Sequence, residues 1–77
     1  MTPQEFLRTA PIDTRVVVRY LLDDGRATDA LGYLRARTDM EVEVETKRGR
    51  ETVLVATVIA AKAVPPPPAP RMRRPAP

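Results

Sequence analysis

Three carboxylates stand at every second position in Met40-Glu41-Val42-Glu43-Val44-Glu45-Thr46. Closely spaced carboxylates are the raw material of acid–base catalysis, which needs them converging on one substrate atom with at least one proton affinity shifted by burial. A period-two row does the opposite. It strings Glu41, Glu43 and Glu45 along one face of an extended strand and turns Val42 and Val44 to the other, so the glutamates are expected outward and solvated. Cross-strand pairing with Arg35 and Arg37 is their expected role, worth about 0.2–1 kcal/mol per contact. Asp23, Asp24 and Asp29 form the other acidic group. A calcium site draws its oxygens from a loop with fixed ligand spacing, which these three lack, so they are read as turn formers.

The chain contains no histidine and no cysteine. The commonest general base, the commonest metal ligands and any disulfide are therefore missing. Gly25, Gly32 and Gly49 are isolated from one another, whereas a phosphate-binding loop needs clustered glycines at a helix N-terminus. No catalytic residue, metal ligand or cofactor is expected, and the chain reads as a non-enzyme.

Arg71, Arg73 and Arg74 are the candidate electrostatic contacts. They account for the whole net charge of +3, because the ten other cations balance the ten carboxylates. A nucleic-acid-binding domain normally carries its basic face on the folded part, together with exposed aromatics. Tyr20 and Tyr33 are the only tyrosines, and Tyr20 is expected in the core. Protein is thus the expected partner and nucleic acid the lesser alternative. The longest nearly apolar run, Val53 to Ala61, is nine residues, against roughly 20 for a membrane span. No membrane partner is expected. The N-terminus lacks the basic and apolar regions of a signal peptide, which leaves the cytoplasm as the default location.

The elements that must position these residues are short. Thr2-Pro3-Gln4-Glu5 predicts a helix start, with Thr2 as N-cap, Pro3 in the first turn and Glu5 completing a capping box. Pro11 ends that helix by Ala10. Phe6 is expected to dock as a lid. Arg15–Leu22 has strand composition, with Val16, Val18, Tyr20 and Leu22 on one face and Arg15, Val17, Arg19 and Leu21 on the other. Asp23-Asp24-Gly25-Arg26 predicts a hairpin turn. Strand two is expected over Thr28–Ala36, with Gly32 marking a bend or bulge. Ala30, Leu31, Leu34 and Arg35 also fit helical spacing, but Gly32 weakens a helix by about 1 kcal/mol and hairpin signals flank the segment. Strand three follows over Met40–Thr46, a turn at Lys47-Arg48-Gly49-Arg50, strand four over Glu51–Leu54, a tight connection at Val55-Ala56-Thr57, and strand five over Val58–Val64. Five short strands at this spacing suggest an all-β fold, a small barrel.

Seven of the nine prolines fall in residues 65–77, which cannot continue as helix or central strand. The expected organisation is an N-terminal helical turn over residues 1–11, a five-stranded domain over 12–64, and a disordered Pro/Arg-rich linker or tail over 65–77. Pro65–Pro68 and Pro67–Pro70 have the PxxP spacing that SH3-type partners recognise, without a flanking arginine at the usual offset. As polyproline II, Pro65–Pro70 would span roughly 19 Å as a stiff spacer, which is the favoured reading.

Thr14-Arg15-Val16-Val17-Val18-Arg19-Tyr20, Asp24-Gly25, Thr28-Asp29-Ala30-Leu31-Gly32, Val44-Glu45-Thr46-Lys47-Arg48-Gly49 and Val58-Ile59-Ala60-Ala61-Lys62-Ala63-Val64-Pro65-Pro66 occur together and in order. This pattern resembles the SH3-like domain at the N-terminus of certain actinobacterial GNAT-family N-acetyltransferases. In those longer relatives a proline-containing linker and then the acetyl-CoA-binding catalytic domain follow. The resemblance implies a five-stranded SH3-like barrel serving as a non-catalytic accessory module. Its expected partner is an acetyltransferase domain of a longer chain, or a separate acetyltransferase chain engaged in trans. It carries over no catalytic residue, because the family's pyrophosphate-binding Q/R-x-x-G-x-G/A loop is absent from this sequence.

Overall fold

Period-two alternation builds the structure, a computed structural model that describes residues 1–67. The strands are β1 (Arg15–Leu21), β2 (Ala27–Arg37), β3 (Glu41–Thr46), β4 (Gly49–Leu54) and β5 (Val58–Ala63). One helix, α1 (Pro3–Thr9), precedes them, and a 3-10 turn over Val55–Thr57 joins β4 to β5. All neighbouring strands are antiparallel, in the order β4-β3-β2-β1-β5. Among the described residues no ladder joins β4 to β5, so the fold is a five-stranded antiparallel sheet with two free edges and one short helix.

The alternation that spaced the glutamates also sorts the core. Val16 and Val18 of β1, Val42 and Val44 of β3, Val53 of β4 and Leu34 of β2 are at most 1% exposed. Ala30, Val55 and Val58 complete the strand side of one apolar cluster, and Leu7 and Ala10 close it from the helix. Tyr20 packs against this cluster only half-buried, and Leu22 is exposed. Their position beside the first hairpin accounts for it, because the core thins there toward the turn.

Two turns follow the glycines. Gly25 has a φ of 85°, its N–H donates to the Leu22 carbonyl (2.9 Å), and the Leu22 N–H donates to Arg26 (2.7 Å). This is a three-residue loop with its left-handed position filled by glycine. The β3–β4 hairpin has a two-residue loop, Lys47 and Arg48, closed by Gly49 at φ 121° opposite Thr46, whose hydroxyl accepts from the Arg48 N–H and donates to the Gly49 carbonyl.

Gly32 corrects an expectation. The irregularity in β2 lies between Leu34 and Ala36, which leaves Arg35 as the extra residue, and Gly32 is regularly paired. The glycine is needed for close approach: a Cβ there would stand 1.9 Å from the Glu45 carbonyl oxygen. A second bulge inserts Ile59 into β5 opposite the Arg19–Tyr20 step. Bulges bend the strand and increase its twist, and these two curve the sheet around its valine core.

The helix docks differently from expectation too. Thr2 caps it as the sequence indicates, its hydroxyl accepting from the Glu5 N–H at 3.1 Å. The side chain that enters the core is Leu7, fully buried, while Phe6 packs on the cluster's margin. A 3.6-residue period puts Leu7 and Ala10 on one stripe, and Phe6 lies beside it. Gln4 fastens the helix to β5 by donating to the Val58 carbonyl at 2.8 Å. Arg37 donates to the carbonyls of Leu7 and Ala10 at the helix C-terminus. It therefore does not pair with the glutamate row: it supplies the donors that the last turn of a helix lacks.

Candidate functional site

The outer face of the sheet is set by the same alternation that buries the valines. Arg15, Val17 and Arg19 of β1 point outward, as do Asp29, Leu31 and Tyr33 of β2. The register sets Arg15 beside Tyr33, Val17 beside Leu31 and Arg19 beside Asp29. On one flank Tyr33 neighbours Glu45 of β3, and on the other Val17 neighbours Lys62 and Arg19 neighbours Ala60 of β5. Leu31 is 45% exposed. An apolar strip of exposed Leu31 between half-buried Val17 and Tyr33 thus crosses β1 and β2, framed by charges.

Two concavities lie on this face. A groove of about 710 Å³ is lined by Arg15, Leu31, Tyr33, Glu45, Lys47 and Pro67, among others. A smaller one of about 320 Å³ is bounded by Val17, Arg19, Asp29, Ala60 and Lys62. Tyr33, half-buried, is part of the lining of the larger groove, and the Arg35 guanidinium lies 5.1 Å from its ring centroid. A cation at that distance is attracted by the ring quadrupole.

Most arginines of the face are engaged by carboxylates. Arg19 meets Asp29 at 3.3 Å. Arg35, lifted out of register by the bulge, reaches Asp13 at 2.6 Å and Glu45 at 2.9 Å. These two bonds raise its proton affinity further above the ordinary guanidinium value, with the Asp13 contact the larger cause. Asp13 is placed for this by a positive φ of 76° and by its own N–H donating to the Leu34 carbonyl. Aspartate is among the side chains that tolerate that left-handed conformation. Arg50 stands 3.6 Å from Glu43 and 3.7 Å from Glu45.

The glutamate row therefore pairs with Arg35 and Arg50, and Glu41, Glu43 and Glu45 spread along β3 without converging. Asp24 accepts from the Arg26 N–H and side chain in the first hairpin, and Asp29 belongs to Arg19 on the sheet. Among the described residues no three potential ligands gather around a point where a metal ion would sit. Arg71, Arg73 and Arg74 lie outside the described residues. Among those described, no helix is long and apolar enough to cross a membrane.

Tyr33 was legible as the aromatic left outside the core. Its neighbours were not, because Arg15, Lys47 and Pro67 come to one groove only through the strand order. Comparison of the chain with protein-family models, with curated proteins and with solved structures finds no match in any of the three.

Proposed function

We propose that this chain is a non-catalytic interaction module that docks a protein partner on the outer face of its sheet, around Leu31 and Tyr33. The observation that carries this reading is an apolar strip on the outer face of the sheet, with Leu31 exposed between half-buried Val17 and Tyr33 and with Arg19 and Arg35 beside it already bonded to carboxylates. Apolar surface with an aromatic anchor and a polar rim, part of it paired, suits a protein interface. A phosphate-binding face needs cations that are free to replace counterions.

An SH3-like barrel is the finer description of the fold under this proposal. Several features support it: β1 sits between β2 and β5, the long β2 is bulged, and a 3-10 turn leads into the last strand. With the resemblance to the N-terminal domain of GNAT acetyltransferases, the proposed partner is an acetyltransferase domain, in the same chain or in trans.

Incubation with radiolabelled acetyl-CoA and candidate amines tests the non-catalytic part. Neither retention nor transfer of label is expected, and turnover would overturn the reading. A second reading, nucleic-acid binding, draws on Lys47, Arg48 and Tyr33 sharing one groove. Titration of labelled single- and double-stranded oligonucleotides at low salt separates the two. Binding at tens of micromolar protein or below, abolished by Lys47→Ala with Arg48→Ala, would favour nucleic acid.

A further inference from the structure

The first prolines after β5 are held by the sheet. The Val64 N–H donates to the Arg15 carbonyl at 2.9 Å. One residue later, the Arg15 guanidinium donates to the Pro65 carbonyl at 2.6 Å. A single residue of β1 thus grips two successive residues through its backbone and its side chain. Pro67 then lines the same groove as Leu31 and Tyr33.

The local chemistry suits such a seat. Proline rings fix φ near −65°, and each residue that precedes a proline is pushed toward extended ψ. Val64, Pro65, Pro66 and Pro67 all precede prolines. The segment is therefore preset to polyproline II, with little conformational entropy left to lose on docking. Such a strand has no N–H groups to satisfy and presents carbonyls and flat ring faces. An arginine donor beside a half-buried tyrosine matches both.

We infer that the Arg15–Tyr33 end of the groove is a seat for a proline-rich strand, and that its resident occupant is the chain's own Pro65–Pro67. The segment acts as a strap over one end of the docking face, and a proline-rich segment on a partner competes for the same place. This rests on the outer face being the docking surface.

The test uses the full chain and a variant carrying Pro65→Gly, Pro66→Ser and Pro67→Gly. In the native chain, Tyr33 ring protons are expected to show NOEs to Pro67 that survive dilution. The probe peptide acetyl-Pro-Pro-Pro-Pro-Ala-Pro-amide is then titrated into both while the backbone amides of Arg15, Leu31 and Tyr33 are followed. A seat filled in cis four-fifths of the time weakens apparent binding about fivefold. The variant is thus expected to bind the peptide at least about fivefold more tightly, and Arg15→Met in the variant background to reduce that binding. Equal titration of the two chains, absence of peptide-induced shifts in the variant, or NOEs lost on dilution would each overturn the proposal. Retention of a protein partner through Leu31 and Tyr33 in the same circumstances would leave the docking face standing without its strap.

Discussion

At the scale of single residues, Gly32 and Tyr20 carry the sharpest consequences. Gly32→Ala places a methyl group 1.9 Å from the Glu45 carbonyl oxygen, a contact only backbone movement can relieve. A loss of about 3 kcal/mol or more is expected, read as a lower urea midpoint with the chain otherwise intact. The sequence marked this glycine as special but assigned it to a bulge, because close approach depends on a partner strand that one strand's residues do not reveal. Arg35 is the converse case. Nothing in its own neighbourhood announces a bulge, yet the extra residue is what lets one guanidinium reach Asp13 and Glu45. Tyr20 gives a pH dependence. Burial, aided by Glu51, raises its proton affinity in the folded state. Its contribution is therefore fully present below the unfolded tyrosine pKa of about 10 and is lost as pH rises through the folded value. Urea unfolding at increasing alkaline pH should show a shallower decline for Tyr20→Phe than for the native chain.

At the scale of elements, the helix is the piece most dependent on others. Seven residues cannot hold a helix in water alone; Leu7 in the core, Gln4 on Val58 and Arg37 on the last turn hold it instead. Leu7→Ala is expected to destabilise the chain by about 2–5 kcal/mol. Arg37→Met leaves two helix carbonyls without their donor, at about 1–3 kcal/mol. Far-UV circular dichroism with urea titration checks both. Phe6→Ala should cost less than Leu7→Ala, since Phe6 sits on the margin of the cluster. The capping box and Pro11 made this helix legible from residues 2 to 11. Which side chain it buries was not, because two turns offer too few apolar positions to fix a face. The strands were easier: composition, alternation and turn signals located all five within one or two residues, and the two glycine hairpins fixed two of the four neighbouring pairs, β1–β2 and β3–β4.

At the scale of the whole molecule, a five-stranded sheet curls over a small valine core and leaves one outer face partly apolar. A module of this size buries only about 60% of its chain's surface, so stability is expected to be modest. An exposed strip on such a fold needs a reason. The alternation shows that Val17, Leu31 and Tyr33 face out, but only the strand order brings them together with Arg15, Lys62 and Pro67. The account makes that face the docking surface for a protein partner. It is tested most directly by purifying the tagged chain from its native host beside a variant carrying Leu31→Thr and Tyr33→Thr. Threonine keeps the β preference of both positions, and matched circular dichroism spectra establish that the variant is folded. A protein retained by the native chain in stoichiometric amount and lost by the variant is the predicted result. Recovery of the native chain alone, or equal retention by both chains, would contradict the account.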